Sequence, residues 1–553
     1  MKFRASSTKA ALVKLYKAVG DDVRILSSTR KLDSEGNAFY EITARRNNPV
    51  VSGNTRNLFV VATILFVVVI SLLYIFTRSG ETGAISSHDE KPGMEIEASS
   101  VIPSIAVIPL VNLSEGGNEE YFGDGLAEDL ISSFARLKNI KVVNRTSSFT
   151  YKNTNLDIQT IGRELSVNSI IEGSFRINEE KLRIVVNLID VSDGFTIWTQ
   201  TFNREKKDLF DIQEEIAFAI VKALEVELGL DDSGTLRTRS TKSLDAFNEY
   251  NRAMYFLDRR SEEGFTKAIE YFRNTIDLDA DFAKAHLGLG VSHYLLGSYG
   301  YRHYSEAFSR ARPEIEKAIN LDPSLGEAYA MRARIRRDND LDWEGAEEDF
   351  LRAIDLNPNS ANAHHWYALY LGDLGRFDEA MEHLLIARES QPVSRQINLD
   401  IAVSFLDQGD VESCLDQLYK TIEMFPNFKG AHNFLLFTLL RIGKIEESIA
   451  EFERYNAISG QAGLTAQYKS IIEEQGIISA VRIYVNAAKE HLFPWELAAL
   501  CTFLGEREKA LDYLEQAFTE RSGRIFHLKY ETAFRSLHDE PRFIALLEKL
   551  GLD

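Results

Sequence analysis

Four prolines divide the second half of this 553-residue chain into nearly equal lengths. Pro323, Pro358, Pro392 and Pro426 stand 35, 34 and 34 residues apart. Each closes a similar phrase: Ala318-Ile319-Asn320-Leu321-Asp322-Pro323, Ala353-Ile354-Asp355-Leu356-Asn357-Pro358, Ala387-Arg388-Glu389-Ser390-Gln391-Pro392 and Thr421-Ile422-Glu423-Met424-Phe425-Pro426. A fixed period of this length means one supersecondary unit stacked many times, because a single unit cannot bury its apolar face alone. Within Asn359 to Pro392, Ala368, Ala380 and Ala387 sit where two helices must approach closely, Gly375 turns between them, and Leu384 fills the large apolar position. Neighbouring units keep Gly409, Gly443 and Gly505 at the turn, and Ala268/Phe272, Ala346/Phe350 and Ala510/Leu514 in the second helix.

The period and its closing phrase resemble tetratricopeptide repeats. The resemblance extends over 243–553, with about seven or eight repeats, an insertion at Gly297–Ser309, a degenerate stretch at 461–490, and a cap at Phe534–Phe543. It implies an all-α solenoid whose concave face takes a protein or peptide partner. The inner faces of the first helices would then show Arg334, Arg337, Asn362, His365, Asn433 and Phe437. His286, His364 and His432 each follow an alanine and hold one position in three repeats, with Tyr329 there in another, so they read as a packing stripe rather than metal ligands. No HExxH, CxxC or GxSxG occurs, and no catalytic, cofactor or metal residues are assigned. Cys414 and Cys501 read as buried free thiols.

Leu58 to Phe76 is 19 residues without a charge, the length of a transmembrane helix. Residues 1–56 carry 11 Lys and Arg against five acids, whereas the whole chain is at −20, which leaves −26 for the rest. The positive-inside rule then predicts a cytoplasmic amino end, a single span at 57–77 and large domains facing outward. Residues 78–100, rich in Ser, Gly and Glu, read as a flexible linker. The acidic outer part argues against nucleic-acid binding.

At the amino end, Lys9–Gly20 has helical spacing, and Val23–Ser28 and Ala38–Thr43 read as strands. Lys17-Ala18-Val19-Gly20-Asp21-Asp22 resembles the end of the recognition helix in OmpR-type winged-helix domains, although Phe39-Tyr40 replaces the usual Gly-Tyr of the wing and 1–56 is short for that domain. The resemblance implies a CadC-like transcription regulator as an alternative, with DNA a partner only if a winged helix lies upstream. The other reading is a basic juxtamembrane tail.

Between linker and repeats, residues 101–229 read as β-α-β-α-β-β-β-α. Ser104–Leu110 is the first strand. A helix from Tyr121 carries Phe122, Leu126, Leu130 and Phe134 on one face. Strands follow at Ser169–Ile177, Lys181–Val191 and Phe195–Phe202, and a last helix runs from Asp211 to Leu228. Ile105-Ala106-Val107-Ile108-Pro109-Leu110, Tyr121-Phe122-Gly123-Asp124-Gly125-Leu126, Val142-Val143-Asn144-Arg145-Thr146-Ser147-Ser148-Phe149 and Ile161-Gly162-Arg163-Glu164-Leu165 resemble, in order, the TolB-like (FlgO-related) amino-terminal domain. That domain is not known as catalytic, and the resemblance implies that it lies outside an inner membrane, in the periplasm, ahead of tetratricopeptide repeats. Gly116-Gly117 and Gly123-Asp124-Gly125 read as turn and helix-entry glycines, Asp124 and Glu128 as a solvated first helical turn, and Arg145-Thr146-Ser147 as a strand end and turn cap.

The expectation is therefore a multidomain chain: one transmembrane helix, a mixed α/β TolB-like domain and an all-α solenoid, acting as a non-enzymatic interaction or sensing scaffold. Some proteins of this architecture carry a class III nucleotide cyclase at the amino end, for which 1–56 is too short.

Overall fold

A computed structural model describes residues 2–5, 23–32 and 38–46 and, apart from gaps, 103–552. The chain divides into units of 1–98 and 99–553. In the first, β1 (Lys2–Ala5), β2 (Val23–Leu32) and β3 (Ala38–Arg46) form an antiparallel sheet in the order β1-β3-β2. Both expected strands are present and run longer than the sequence pattern suggested. The expected helix at 9–20, the linker and the 57–77 span lie outside the described residues.

The second unit opens with a mixed sheet. β4 (Ser104–Val107) pairs in parallel with β6 (Lys141–Val142) and β7 (Ser169–Asn178). The short β5 (Val111–Asn112) also joins β7 in parallel. β7, β8 (Lys181–Asp190) and β9 (Thr196–Glu205) continue as an antiparallel meander. Leu182, Ile184, Val186 and Leu188 of β8 alternate inward, as a period of two requires. They pack with α1 (Glu120–Phe134) and, through Ile212, Ile216 and Ile220, with a helix at Leu209–Leu228. Between these helices in the chain come α2 (Arg145–Phe149) and α3 (Ile158–Leu165), so the helix at Leu209–Leu228 is α4. α3 covers the opposite face with Ile161 and Leu165.

Helical hairpins follow: α5 (Leu244–Leu257) with α6 (Glu262–Leu278), α7 (Ala283–Ser298) with α8 (Tyr304–Leu321), α9 (Gly326–Ile335) with α10 (Trp343–Leu356), and α11 (Ala361–Asp373) with α12 (Phe377–Ser390). The series continues with α13 (Arg395–Asp407) and α14 (Val411–Met424), α15 (Lys429–Arg441) and α16 (Ile445–Ile458), α17 (Ala462–Gln475) and α18 (Ile477–Ala488), and α19 (Pro494–Phe503) and α20 (Arg507–Thr519). Two 3-10 turns, Ile525–His527 and Thr532–Leu537, lead to α21 (Pro541–Leu550). Local chemistry sets the hairpin ends. Ser243, Ser261, Asp342, Ser360, Ser394 and Asp410 each accept a backbone N–H of the first turn of the helix they begin. Gly375, Gly409, Gly443 and Gly505 turn between helices at φ of +76°, +83°, +78° and +74°. Ala346, Ala353, Ala363 and Ala387 are wholly buried at the seams.

The fold class must be corrected on one point. Among the described residues no helix is long and apolar enough to cross a membrane. Even α4, 20 residues long, carries Asp211, Glu214, Glu215, Lys222, Glu225 and Glu227. What the structure describes is mostly an all-α solenoid with a small sheet region. The single-pass, inner-membrane and periplasmic placement loses its support and is not carried further.

Candidate binding groove

The first helices of the hairpins face a cavity of about 1710 Å³, walled on one side by α1 and α2 and on another by the segment after α20. The sheet region is fastened over this cavity by polar contacts. The Asn359 amide donates to the carbonyls of Ala135, Leu137 and Ile140 at 3.0–3.1 Å. The Asn144 N–H donates to the Ser390 carbonyl at 2.8 Å, and the Gln391 amide donates to the Asn144 side chain. Nearer the first repeat, Arg145 lies between Glu128, at 3.1 Å, and Asp258. The Tyr250 hydroxyl donates to Glu128, and Lys284 pairs with Asp129. Burial pushes the Glu128 carboxyl up, against the pull of Arg145 and Lys284.

This corrects three expectations. Glu128 is buried in an ion cluster rather than solvated, and Asp124 pairs with Lys152 at 2.8 Å. Arg145 joins the sheet region to the first hairpin rather than capping a turn. Gly125 lies inside α1, where a Cβ would come within 2.1 Å of the Asn251 side chain, so it permits close helix packing.

The six groove residues expected from the repeat register all line this one cavity, in unequal states. Arg337 is buried in ion pairs, and His365 is buried against a carboxylate. Arg337 reaches Asp338 at 2.7 Å and Asp373 at 3.1 Å, and His365 Nε2 lies 2.7 Å from Asp400. The Arg334 guanidinium lies between the rings of Tyr294 and Trp366, 5.2 and 5.3 Å from their centroids, and only 3.6 Å from Asp338. Its Nε is buried without a hydrogen-bond partner. Asn433 makes a long 3.4 Å bond to Glu496, Phe437 is half-buried, and Asn362 is exposed.

A charged ladder runs along the ends of the inner helices. Arg337, in the π-helical turn after α9, is followed by Asp373, Asp407 and Arg441, the last residues of α11, α13 and α15. An acid at a helix C-terminus opposes the helix dipole, so Asp373 and Asp407 require cations. Arg337 answers Asp373, and the C-terminal segment adds His527 to both acids and Arg524 to Asp407. His527 Nδ1 lies 3.4 Å from Asp373, and its Nε2 lies 3.2 Å from Asp407, close enough for an ion pair though not aligned as a hydrogen bond. Burial pulls the His527 pKa down, but the two carboxylates outweigh burial and hold it at about 9, with Arg524 opposing. Arg524 lies 4.0 Å from Asp407 and 3.9 Å from Glu531, and Arg441 donates to Glu531 at 3.3 Å. Phe526 lies beneath Arg337, 5.1 Å from ring to guanidinium. Sequence reading missed this segment. The visible signal was two aspartates 34 residues apart, at the ends of successive inner helices.

The histidine stripe has a common geometry. Nε2 of His286, His364 and His432 meets the carbonyl six residues earlier, those of Ala280, Pro358 and Pro426, at 2.9–3.1 Å. Their Nδ1 atoms meet Glu314, His383 and Glu451 on the second helices. Asn398 takes the same position in the intervening repeat, donating to the Pro392 carbonyl at 3.1 Å. Each joins a loop to the next helix. Burial and His383 lower the His364 pKa to about 4. Among the described residues no group of three or more His, Cys, Asp and Glu is placed to hold a metal ion. Cys414 and Cys501 are free and buried, and burial pushes the Cys414 thiol up to about 12.

Two family models, both described as tetratricopeptide repeat, match the chain at residues 350–382 and at 254–300 and 367–427. The C-terminal region carries tetratricopeptide repeats. Repeats of this kind make scaffolds suited to protein–protein contact. A relative named putative adenylate cyclase 3, from Rhizobium meliloti (strain 1021), is 29% identical over 281 residues, 51% of this chain and 42% of the relative. The chain thus spans less than half the length of that protein. Among solved structures, yeast Tom70 is similar at 16% identity, covering 62% of this chain and 73% of that one, with a TM-score of 0.36. The type IV pilus biogenesis factor PilW is similar at 20% identity, covering 46% and 97%, with a TM-score of 0.29. YrrB, described as a tetratricopeptide protein with an unusual peptide-binding site, is 22% identical over 34% of this chain and 90% of its own, at a TM-score of 0.24. Likenesses this distant say nothing about function.

Proposed function

We propose that this chain is a non-enzymatic scaffold that holds an extended segment of a partner protein in the cavity of its repeats, walled by a TolB-like α/β module at 101–229 and contributed by repeats at 243–553. The observation that carries the reading is the convergence of Arg334, Arg337, Asn362, His365, Asn433 and Phe437 on one cavity. Within it, Trp366 and Phe437 offer apolar surface, and Asn362, Asn433 and the Arg334 Nε offer hydrogen bonds not fully used by the chain itself. Peptide grooves combine these two features: an apolar wall for side chains and sparse polar groups for the backbone. Its other ionisable groups, such as Arg337 with Asp373 and His365 with Asp400, are satisfied by one another, as expected of a structural wall rather than of groups poised for proton transfer.

The test is a photo-crosslinking residue placed at Asn362, with Glu382, exposed on α12, as the control position. The reading expects a defined partner segment joined at 362 and absent at 382. Equal labelling at the two positions would count against a groove.

A further inference from the structure

The groove is already partly filled by its own chain. Arg524–Glu531 lies outside the helical hairpins, yet it places His527 between Asp373 and Asp407, Glu531 against Arg441, and Phe526 beneath Arg337. Read along the repeats, the inner-helix ends run basic, acidic, acidic, basic, and the segment answers with an aromatic ring, a cation and an acid in matching order. Two acids at helix C-termini oppose the helix dipoles; Arg337 of the preceding repeat answers Asp373, and the segment brings His527 to both acids and Arg524 to Asp407. The segment holds one short 3-10 turn, Ile525–His527, and a second follows it at Thr532–Leu537; hydrogen bonds in such turns are less favourable than those of an α-helix. Its apolar anchors, Ile525 and Leu528, point away from the groove into the core of the last repeats.

We propose that Arg524–Glu531 is a resident strap occupying the place of a partner segment of the same chemistry, a stretch carrying a cation beside an aromatic residue, which enters by displacing it. This rests on the groove reading above and names the class of its ligand. Exposing Ile525 and Leu528 sets the open form back by roughly a hundredfold or more. Binding to the intact chain is weaker by that factor, and loosening the strap strengthens it.

The probe is a labelled synthetic peptide with the sequence of residues 521–533, used with the full chain. Phe526→Ala combined with His527→Ser is expected to raise peptide affinity at least tenfold over the unaltered chain. The peptide carrying Arg524→Ser and His527→Ser is expected to lose it. On the unaltered chain, saturating peptide is expected to speed amide exchange at 524–537. Equal affinity for a folded double variant and the unaltered chain, or equal binding of the two peptides, overturns the proposal. Should the double variant fail to fold, exchange on the unaltered chain decides alone, and an unchanged rate at 524–537 overturns it. A partner segment cross-linked at Asn362 with strap exchange unchanged rejects displacement while leaving the groove reading intact.

Discussion

His527 makes the stability of the C-terminal repeats depend on pH in a direction opposite to that of most buried histidines. Burial alone would lower its pKa, but Asp373 and Asp407 hold it at about 9, against an ordinary value of 6.5. The folded state therefore binds the proton more tightly than the unfolded state. The stabilisation is complete below about pH 6.5 and is lost progressively as pH rises through 9. At about 1.4 kcal/mol per tenfold, that rise corresponds to about 3 kcal/mol, an order-of-magnitude figure for a side chain 6% exposed. The assay is urea unfolding followed by tryptophan fluorescence, to which Trp495 contributes from its edge-on packing against Phe534 in the turn after the strap. The unaltered chain is compared with His527→Gln at pH 6 and pH 9.5. The difference between the two proteins should be about 3 kcal/mol at the lower pH and small at the higher. A difference independent of pH would refute the reasoning.

Asn359→Ala removes the donor shared by the carbonyls of Ala135, Leu137 and Ile140. It should cost about 1–3 kcal/mol and speed amide exchange in residues around Lys141 while leaving the later repeats unchanged. Gly375→Ala and Gly409→Ala both place a Cβ at positive φ, at about 1–2 kcal/mol. At Gly375 the new carbon also comes within 2.4 Å of the Tyr530 ring, whereas Gly409 faces open space, so thermal unfolding should show the first variant clearly less stable than the second. Glu128→Ala leaves Arg145 buried with one acid instead of two. Chemical denaturation should register a loss of about 3–5 kcal/mol, more than Glu128→Gln causes, because the glutamine keeps the acceptor for the Tyr250 hydroxyl.

What could be read in the sequence was local. The proline period, the turn glycines and the alanine seams each express a constraint within about 34 residues, and they mark the hairpins directly. The alternation of Leu182, Ile184, Val186 and Leu188 likewise marked one face of β8. The six residues chosen by register line one cavity, because neighbouring positions in stacked repeats share a surface. The apolar stretch at Leu58–Phe76 drove an expectation of a membrane span that the described helices do not bear out. Unreadable features came from distant partners. Asn359 meets residues about 220 positions earlier, Trp343 donates to the Leu550 carbonyl at 2.8 Å, and Tyr530 donates to the Leu374 carbonyl. No local pattern encodes such contacts. Glu128 was misread for the same reason, since an acid in a first helical turn looks solvated until Arg145 and Tyr250 are known to cover it.

The central claim is that the cavity of the repeats holds a partner segment. Its most direct test is titration calorimetry of the segment captured at Asn362, made as a synthetic peptide, against the unaltered chain and against Asn362→Ala with Phe437→Ala. Both side chains line the cavity, and Asn362 is exposed while Phe437 is only half-buried, so the fold should survive their truncation. The account predicts saturable one-to-one binding that weakens at least tenfold in the double variant. Equal affinity for the two proteins would contradict it.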